Sequence, residues 1–219
     1  MENTPQQPSP PSTRPGKVLV LLAGAALFAS ALALPFFYET QTLWYKTGTD
    51  KSMLRAGHVL GMLALVLLLT QILLAVRVGL LERLFGTATL LRWHRANGVL
   101  IVLAATGHVA LVQLPEGLGN LPIGWKYWPE MTGGLLYMLL LVTVVISRYR
   151  AGLHIDFTRW RQLHRPAGYL ALALVCIHVL FVSDAFAQGL PRAALIAVFL
   201  LLAVIVAFTL WARRRPQRH

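Results

Sequence analysis

Apolar residues fall in six long stretches separated by short polar segments: about 18–37, 57–76, 93–114, 131–147, 164–183 and 193–211. A bilayer core about 30 Å thick needs about 20 apolar residues of helix to cross it. The pattern predicts an all-α integral membrane protein, a bundle of six spanning helices, with the fourth span the shortest. Residues 1–16 are rich in Pro, Gln, Ser and Thr and lack apolar mass, so they read as a disordered N-terminal tail. The membrane domain then covers 17–213, and 214–219 is a short basic tail. Arg14 and Lys17 stand before an apolar run that ends near Ala29-Ser30-Ala31, which is also the layout of a secretory signal. The run is long for a signal, and Pro35-Phe36-Phe37-Tyr38 has the character of a membrane-interface end.

Composition agrees. The chain of 219 residues is 57% hydrophobic and 13% charged, with a mean hydropathy of +0.62. A soluble domain carries about 25% charged residues. A water-soluble fold, and disorder over most of the chain, are thereby excluded. The net charge of +12 gains meaning once the basic residues are sorted by alternating loops. Arg14, Lys17, Arg77, Arg83, Arg92, Arg95, Arg148, Arg150, Arg159, Arg161, Arg165, Arg213, Arg214, Arg215 and Arg218 fall on one side, 15 of the 20. Lys46, Lys51, Arg55, Lys126 and Arg192 fall on the other. The positive-inside rule places both termini in the cytoplasm, in the inner membrane of the cell. The charge is then an orientation and lipid-headgroup signal and not a nucleic-acid footprint. Trp125, Tyr127 and Trp128 lie in an outside loop and read as an interfacial aromatic belt. The single Cys176 excludes a disulfide framework or a cysteine-ligated zinc or iron–sulfur site within one chain.

Of the seven histidines, His154 and His219 lie in a loop and a tail, and five fall in or at the ends of apolar spans. Ionisable side chains at membrane depth are costly and tend to mark function. Four of the five form a repeat. The third span reads His94-Arg95-Ala96-Asn97-Gly98 and then His108; the fifth reads His164-Arg165-Pro166-Ala167-Gly168 and then His178. Fourteen residues is almost four helical turns, so each pair shares one face with its members about 21 Å apart along the axis. Gly98 and Gly168, four residues after the first histidine, lie on that same face and leave a gap beside the imidazole.

Facing each other, the third and fifth spans bring His94 level with His164 and His108 level with His178. Imidazole is a good iron ligand, and two axial histidines across a flat apolar slot describe a haem b site. No C-x-x-C-H is present for covalent attachment. Haem propionates want cations. Arg92, Arg95, Arg161 and Arg165 cluster at the inner level, and arginine forks suit carboxylates. Arg55, Lys126 and Arg192 are the fewer cations outside. The same arginines are also expected at span ends on topology alone. His58, beside Arg55 and Gly57, stands where it reaches an outer haem edge or propionate, a substrate ion, or simply interfacial water. Interhelical hydrogen bonding without a cofactor and zinc are the other readings of the four histidines. Zinc wants four ligands in one place. Gln71 reads as a helix-packing residue or a partner for haem or quinone.

Leu80-Leu81-Glu82-Arg83-Leu84-Phe85-Gly86, Trp93-His94-Arg95 and the paired histidines resemble the ferric reductase-like transmembrane domain. That family includes NADPH oxidases, metalloreductases and the haem-binding subunit of bacterial methionine sulfoxide reductase systems. The resemblance covers about 50–185. It implies a six-helix core with two stacked haem b groups passing electrons across the membrane. His94 and His164 would hold the inner group, and His108 and His178 the outer. After Trp211 eight residues remain, and Gly117-Leu118-Gly119 lies in an outside loop without the strand and helix of a dinucleotide fingerprint. The expectation is an oxidoreductase component without its own FAD and NAD(P)H domains. Its donor would be a separate flavin protein or a quinol, with any flavin bound through a partner.

Three functions follow as expectations. The first is a bis-haem membrane cytochrome that passes electrons to an outside acceptor: ferric iron, oxygen or a partner reductase. The second is a quinol-linked membrane anchor of a dedicated periplasmic reductase. The third is a haem-free, histidine-lined transporter. The last is disfavoured because Asp and Glu fall in loops or at helix ends, whereas ion pathways use acidic residues inside the membrane.

Overall fold

The structure is a computed structural model that describes residues 14–117, 119–187 and 189–214. Its described residues form helices and turns without a strand. Six helices are long and apolar enough to span a membrane: α1 (Arg14–Phe37), α3 (Gly48–Val76), α5 (Thr87–Glu116), α6 (Trp128–Tyr149), α7 (Phe157–Val182) and α8 (Gly189–Arg214). Two short helices, α2 (Gln41–Tyr45) and α4 (Gly79–Phe85), sit in the connections. In hydrocarbon every backbone N–H and C=O must find a partner within the protein, and a helix supplies one for nearly all of them. This is a multi-pass membrane protein.

Each expected span is present, and most are longer than the apolar run that marks them. The third was expected at 93–114 and begins at Thr87; the fifth was expected at 164–183 and begins at Phe157. Apolar content locates the hydrocarbon. Caps and turns decide where the helix stops. Asp156 caps α7, accepting from the backbone N–H of Thr158 at 2.7 Å and of Arg159 at 3.2 Å. Gly86, at φ +77°, makes the corner between α4 and α5, a conformation that favours glycine. Arg14–Gly16 open α1 instead of closing a tail. The rest of the expected N-terminal tail, Leu118, and residues 215–219 with Arg215, Arg218 and His219 lie outside the described residues.

The central helix is α3, which holds more of the buried side chains than any other described helix. Leu65, Leu68, Leu69 and Ile72 of α3 meet Ile101 of α5, Val175 of α7 and Leu202 of α8 in one core. The closest helix pairs are α3 with α5 and α6 with α7. Leu19, Leu103, Leu163 and Leu200 are mostly exposed, as expected of side chains that face lipid. Hydroxyls inside the spans are satisfied by their own helix: Thr70 donates to Val66 O, Thr106 to Val102 O and Thr209 to Ile205 O.

Candidate functional site

The fold brings the two histidine pairs together as their spacing predicts. The rings of His94 (α5) and His164 (α7) lie 6.1 Å apart between centroids, with planes at 75°. Those of His108 and His178 lie 6.5 Å apart at 74°. The two levels are fourteen residues apart on each helix, about 21 Å along the axis. All four histidines are at least partly buried. Among the described residues no group of three or more His, Cys, Asp or Glu gathers, so each level presents two imidazoles alone.

Hydrogen bonds decide which ring nitrogen is free. His108 Nδ1 lies 2.9 Å from the Gly57 carbonyl, and His178 Nδ1 lies 3.0 Å from the Pro129 carbonyl. A carbonyl only accepts, so each Nδ1 carries the proton and each Nε2 keeps its lone pair. His164 Nδ1 lies 3.3 Å from Ser147 Oγ. That hydroxyl donates its one proton to Thr143 O at 2.6 Å and accepts from Trp160 Nε1 at 3.1 Å. It must therefore accept from His164 too. Trp160 also stacks on His164, with centroids 4.7 Å apart. His94 differs: its Nδ1 is buried without a partner. Gln71 Nε2 donates to the His94 carbonyl at 3.0 Å and lies 3.4 Å from His94 Nε2.

Glycines let the supporting helices come this close. A Cβ on Gly61 would lie 2.8 Å from His108 Nδ1, and one on Gly133 would lie 2.4 Å from His178 Cε1. The expected gap at Gly168 is real, since a Cβ there would meet nothing within 4 Å. The gap expected at Gly98 is not free. A Cβ there would lie 3.3 Å from Gln71 Nε2, so the missing side chain makes room for the amide of Gln71.

The expected cation partners sit at the periphery. Arg92, Arg95, Arg161 and Arg165 are all exposed. Arg92 donates to Thr89 Oγ1 at 3.4 Å, and Arg161 lies over the Phe157 ring, 5.7 Å from its centroid. Arg55 is already engaged: it pairs with Glu39 and lies over Phe36. Its charge is less available to a ligand than its position in the sequence suggests. His58 is half-buried, within electrostatic reach of Asp184 and of His108. Cys176 is a free, partly buried thiol.

The sequence reading gave no role to Gly57, Gly61, Asn97, Pro129, Gly133, Ser147 or Trp160. One signal was visible: Gly57 and Gly61 form a small-x-x-x-small pair, which lets membrane helices approach closely. Trp160 was a second, four residues before His164 on the same helix face; the others act through contacts between helices and left no local mark.

Comparison with known proteins gives one finding. A family model described as ferric reductase like transmembrane component matches residues 60–162, a stretch that includes His94 and His108 and ends just before His164. No solved structure matches the chain. From the middle of α3 to the first turns of α7, the chain is therefore similar to the ferric reductase-like transmembrane component.

Proposed function

We propose that the protein is a membrane cytochrome with two haem b sites, held by His94 and His164 at one level and by His108 and His178 at the other. Its family is one of membrane electron-transfer components, and four observations support the finer reading. Two imidazole nitrogens each about 2.0–2.1 Å from one metal ion lie about 4 Å apart, with ring centroids about 6 Å apart. The observed 6.1 and 6.5 Å fit. His108, His164 and His178 each present an Nε2 lone pair. Gly168 opens space on the same face as His164. The exposed arginines at the inner ends of α5 and α7 have the chemistry for propionates.

Bound haem supplies one-electron exchange at its iron, so two levels provide a route between leaflets. The chain supplies the rest. Acceptors on Nδ1 aim the rings and raise their ligand strength. Leu, Ile and Val around α3 keep water out. The basic excess on the Arg92–Arg165 side sets that face in the cytoplasm. The donor is a cytoplasmic flavin protein or a quinol, and the acceptor is outside: ferric iron, oxygen or a periplasmic partner reductase. The carrying observation is the pair of facing imidazoles at each of two levels.

The test is a haem count on protein purified in detergent, by pyridine haemochrome and reduced-minus-oxidised spectra. Two b-type haems per chain are expected, with one lost in His94→Ala and the other in His108→Ala. No haem after expression with ample haem supply overturns the reading.

A further inference from the structure

We propose that Gln71, held in place by Asn97, is the positioning residue of His94. The redox meaning of this role rests on the haem reading above; the contact itself does not.

Asn97 is 8% exposed, an amide inside the membrane bundle. Such a group is costly unless its hydrogen bonds are made. Its Nδ2 donates to the Leu67 carbonyl at 2.9 Å and to Gln71 Oε1 at 2.7 Å. The first contact defines its orientation, because a backbone carbonyl accepts and cannot donate. With Asn97 Nδ2 facing it, the near atom of the Gln71 amide has to be oxygen. Gln71 Nε2 is thereby turned toward α5, where it donates to the His94 carbonyl at 3.0 Å and lies 3.4 Å from His94 Nε2. The donors run in one direction, from Asn97 to Gln71 to His94. Turning over either amide would set oxygen against oxygen.

The other three histidines are anchored from behind, through an acceptor on Nδ1. His94 has no such anchor, because its Nδ1 is buried without a partner. The Gln71 amide is the polar group that meets this residue, at Nε2 and at the backbone carbonyl; with Nε2 given to iron, the contact that holds is the one to the His94 carbonyl. Gly98 completes the device, since a Cβ there would crowd Gln71 Nε2 at 3.3 Å. Loss of the Gln71 amide therefore releases one ring of the four.

The test uses the full chain in detergent with two readouts. The first is histidine-selective 15N NMR of the reduced protein, with His94 assigned from His94→Ala. The second is a potentiometric titration of the haem bands. Gln71→Met is expected to shift the His94 ring signals and leave those of His108, His164 and His178 in place. It should also move one midpoint, the one lost in His94→Ala. Asn97→Ala, which leaves the Gln71 side chain in place, is expected to act in the same direction. The double variant should add nothing to Gln71→Met, the mark of two residues acting as one unit. Asn97→Ala also keeps the question answerable if Gln71→Met does not fold. Unchanged His94 signals in these variants overturn the proposal, as does an equal movement of both midpoints. A wild type without haem whose His94 signals still respond to Gln71→Met would sink the haem reading and leave the positioning role standing. Bound haem with indifferent His94 signals does the reverse.

Discussion

Gly133 and His178 are in a contact that tolerates no side chain at the glycine. A Cβ on Gly133 would lie 2.4 Å from His178 Cε1 and 2.6 Å from Nδ1. The ring is pressed against the first turns of α6, where its Nδ1 meets the Pro129 carbonyl. Gly133→Ala is expected to push the ring off that carbonyl and to cost the outer haem while the inner one stays. Gly134→Ala is the matched control, because a Cβ there meets nothing within 4 Å. A haemochrome count of one for the first variant and two for the second is the expected pair of results.

On the haem reading, the two levels would differ in ligand strength. At the outer level both Nδ1–H groups bond backbone carbonyls. At the inner level His164 bonds a hydroxyl already shared with Trp160, and His94 Nδ1 has no partner. Acceptors on the far nitrogen make imidazole a stronger donor to the metal, which favours the oxidised iron. The outer centre should have the lower midpoint in a redox titration. Ser147→Ala should raise the inner midpoint and leave the outer one unchanged.

Asp156 sets where α7 begins. The backbone N–H groups of Arg159 and Thr158, in that order, hold its carboxyl below the usual carboxylate range. A depressed carboxylate stabilises the fold above its unfolded-state value, and the effect is lost as pH falls through the lowered folded-state value. Amide exchange at Thr158 and Arg159 should therefore quicken only in acid, below the usual carboxylate range. Asp156→Asn, which still caps, should remove that acid step. Asp156→Ala should quicken exchange at every pH.

Glu82 ties three elements at the end of the bundle that carries the basic excess. It accepts from Thr87 Oγ1 at 2.8 Å and pairs at 3.6 Å with both Arg77 and Arg213. Arg213 also donates to the Arg77 carbonyl at 2.7 Å. All three charged side chains are about a third exposed, and such pairs contribute about 0–1 kcal/mol each. Glu82→Gln should lower the melting temperature slightly at low salt and less at high salt. It should also free the last turn of α8, read as faster amide exchange near Arg213.

The sequence by itself determined the six spans and the two histidine levels. Both follow from periodicity along one chain: twenty apolar residues cross a bilayer, and residues fourteen apart on a helix share a face. The matched pattern on the two helices also predicted that His94 and His164, and His108 and His178, would meet. The tertiary structure decided how each ring is held. The carbonyls of Gly57 and Pro129 are ordinary backbone groups in any sequence, and only the approach of α3 to α5 and of α6 to α7 turns them into anchors. Gly98 shows the difference most directly. Its place on the histidine face was legible from the repeat, but the space it leaves is filled by Gln71, 27 residues earlier in the chain. Arg55 likewise looked like a free cation until Glu39 folded against it. A helix face can be read from a local period, but what fills it depends on which helix packs there, and that is a property of the whole bundle.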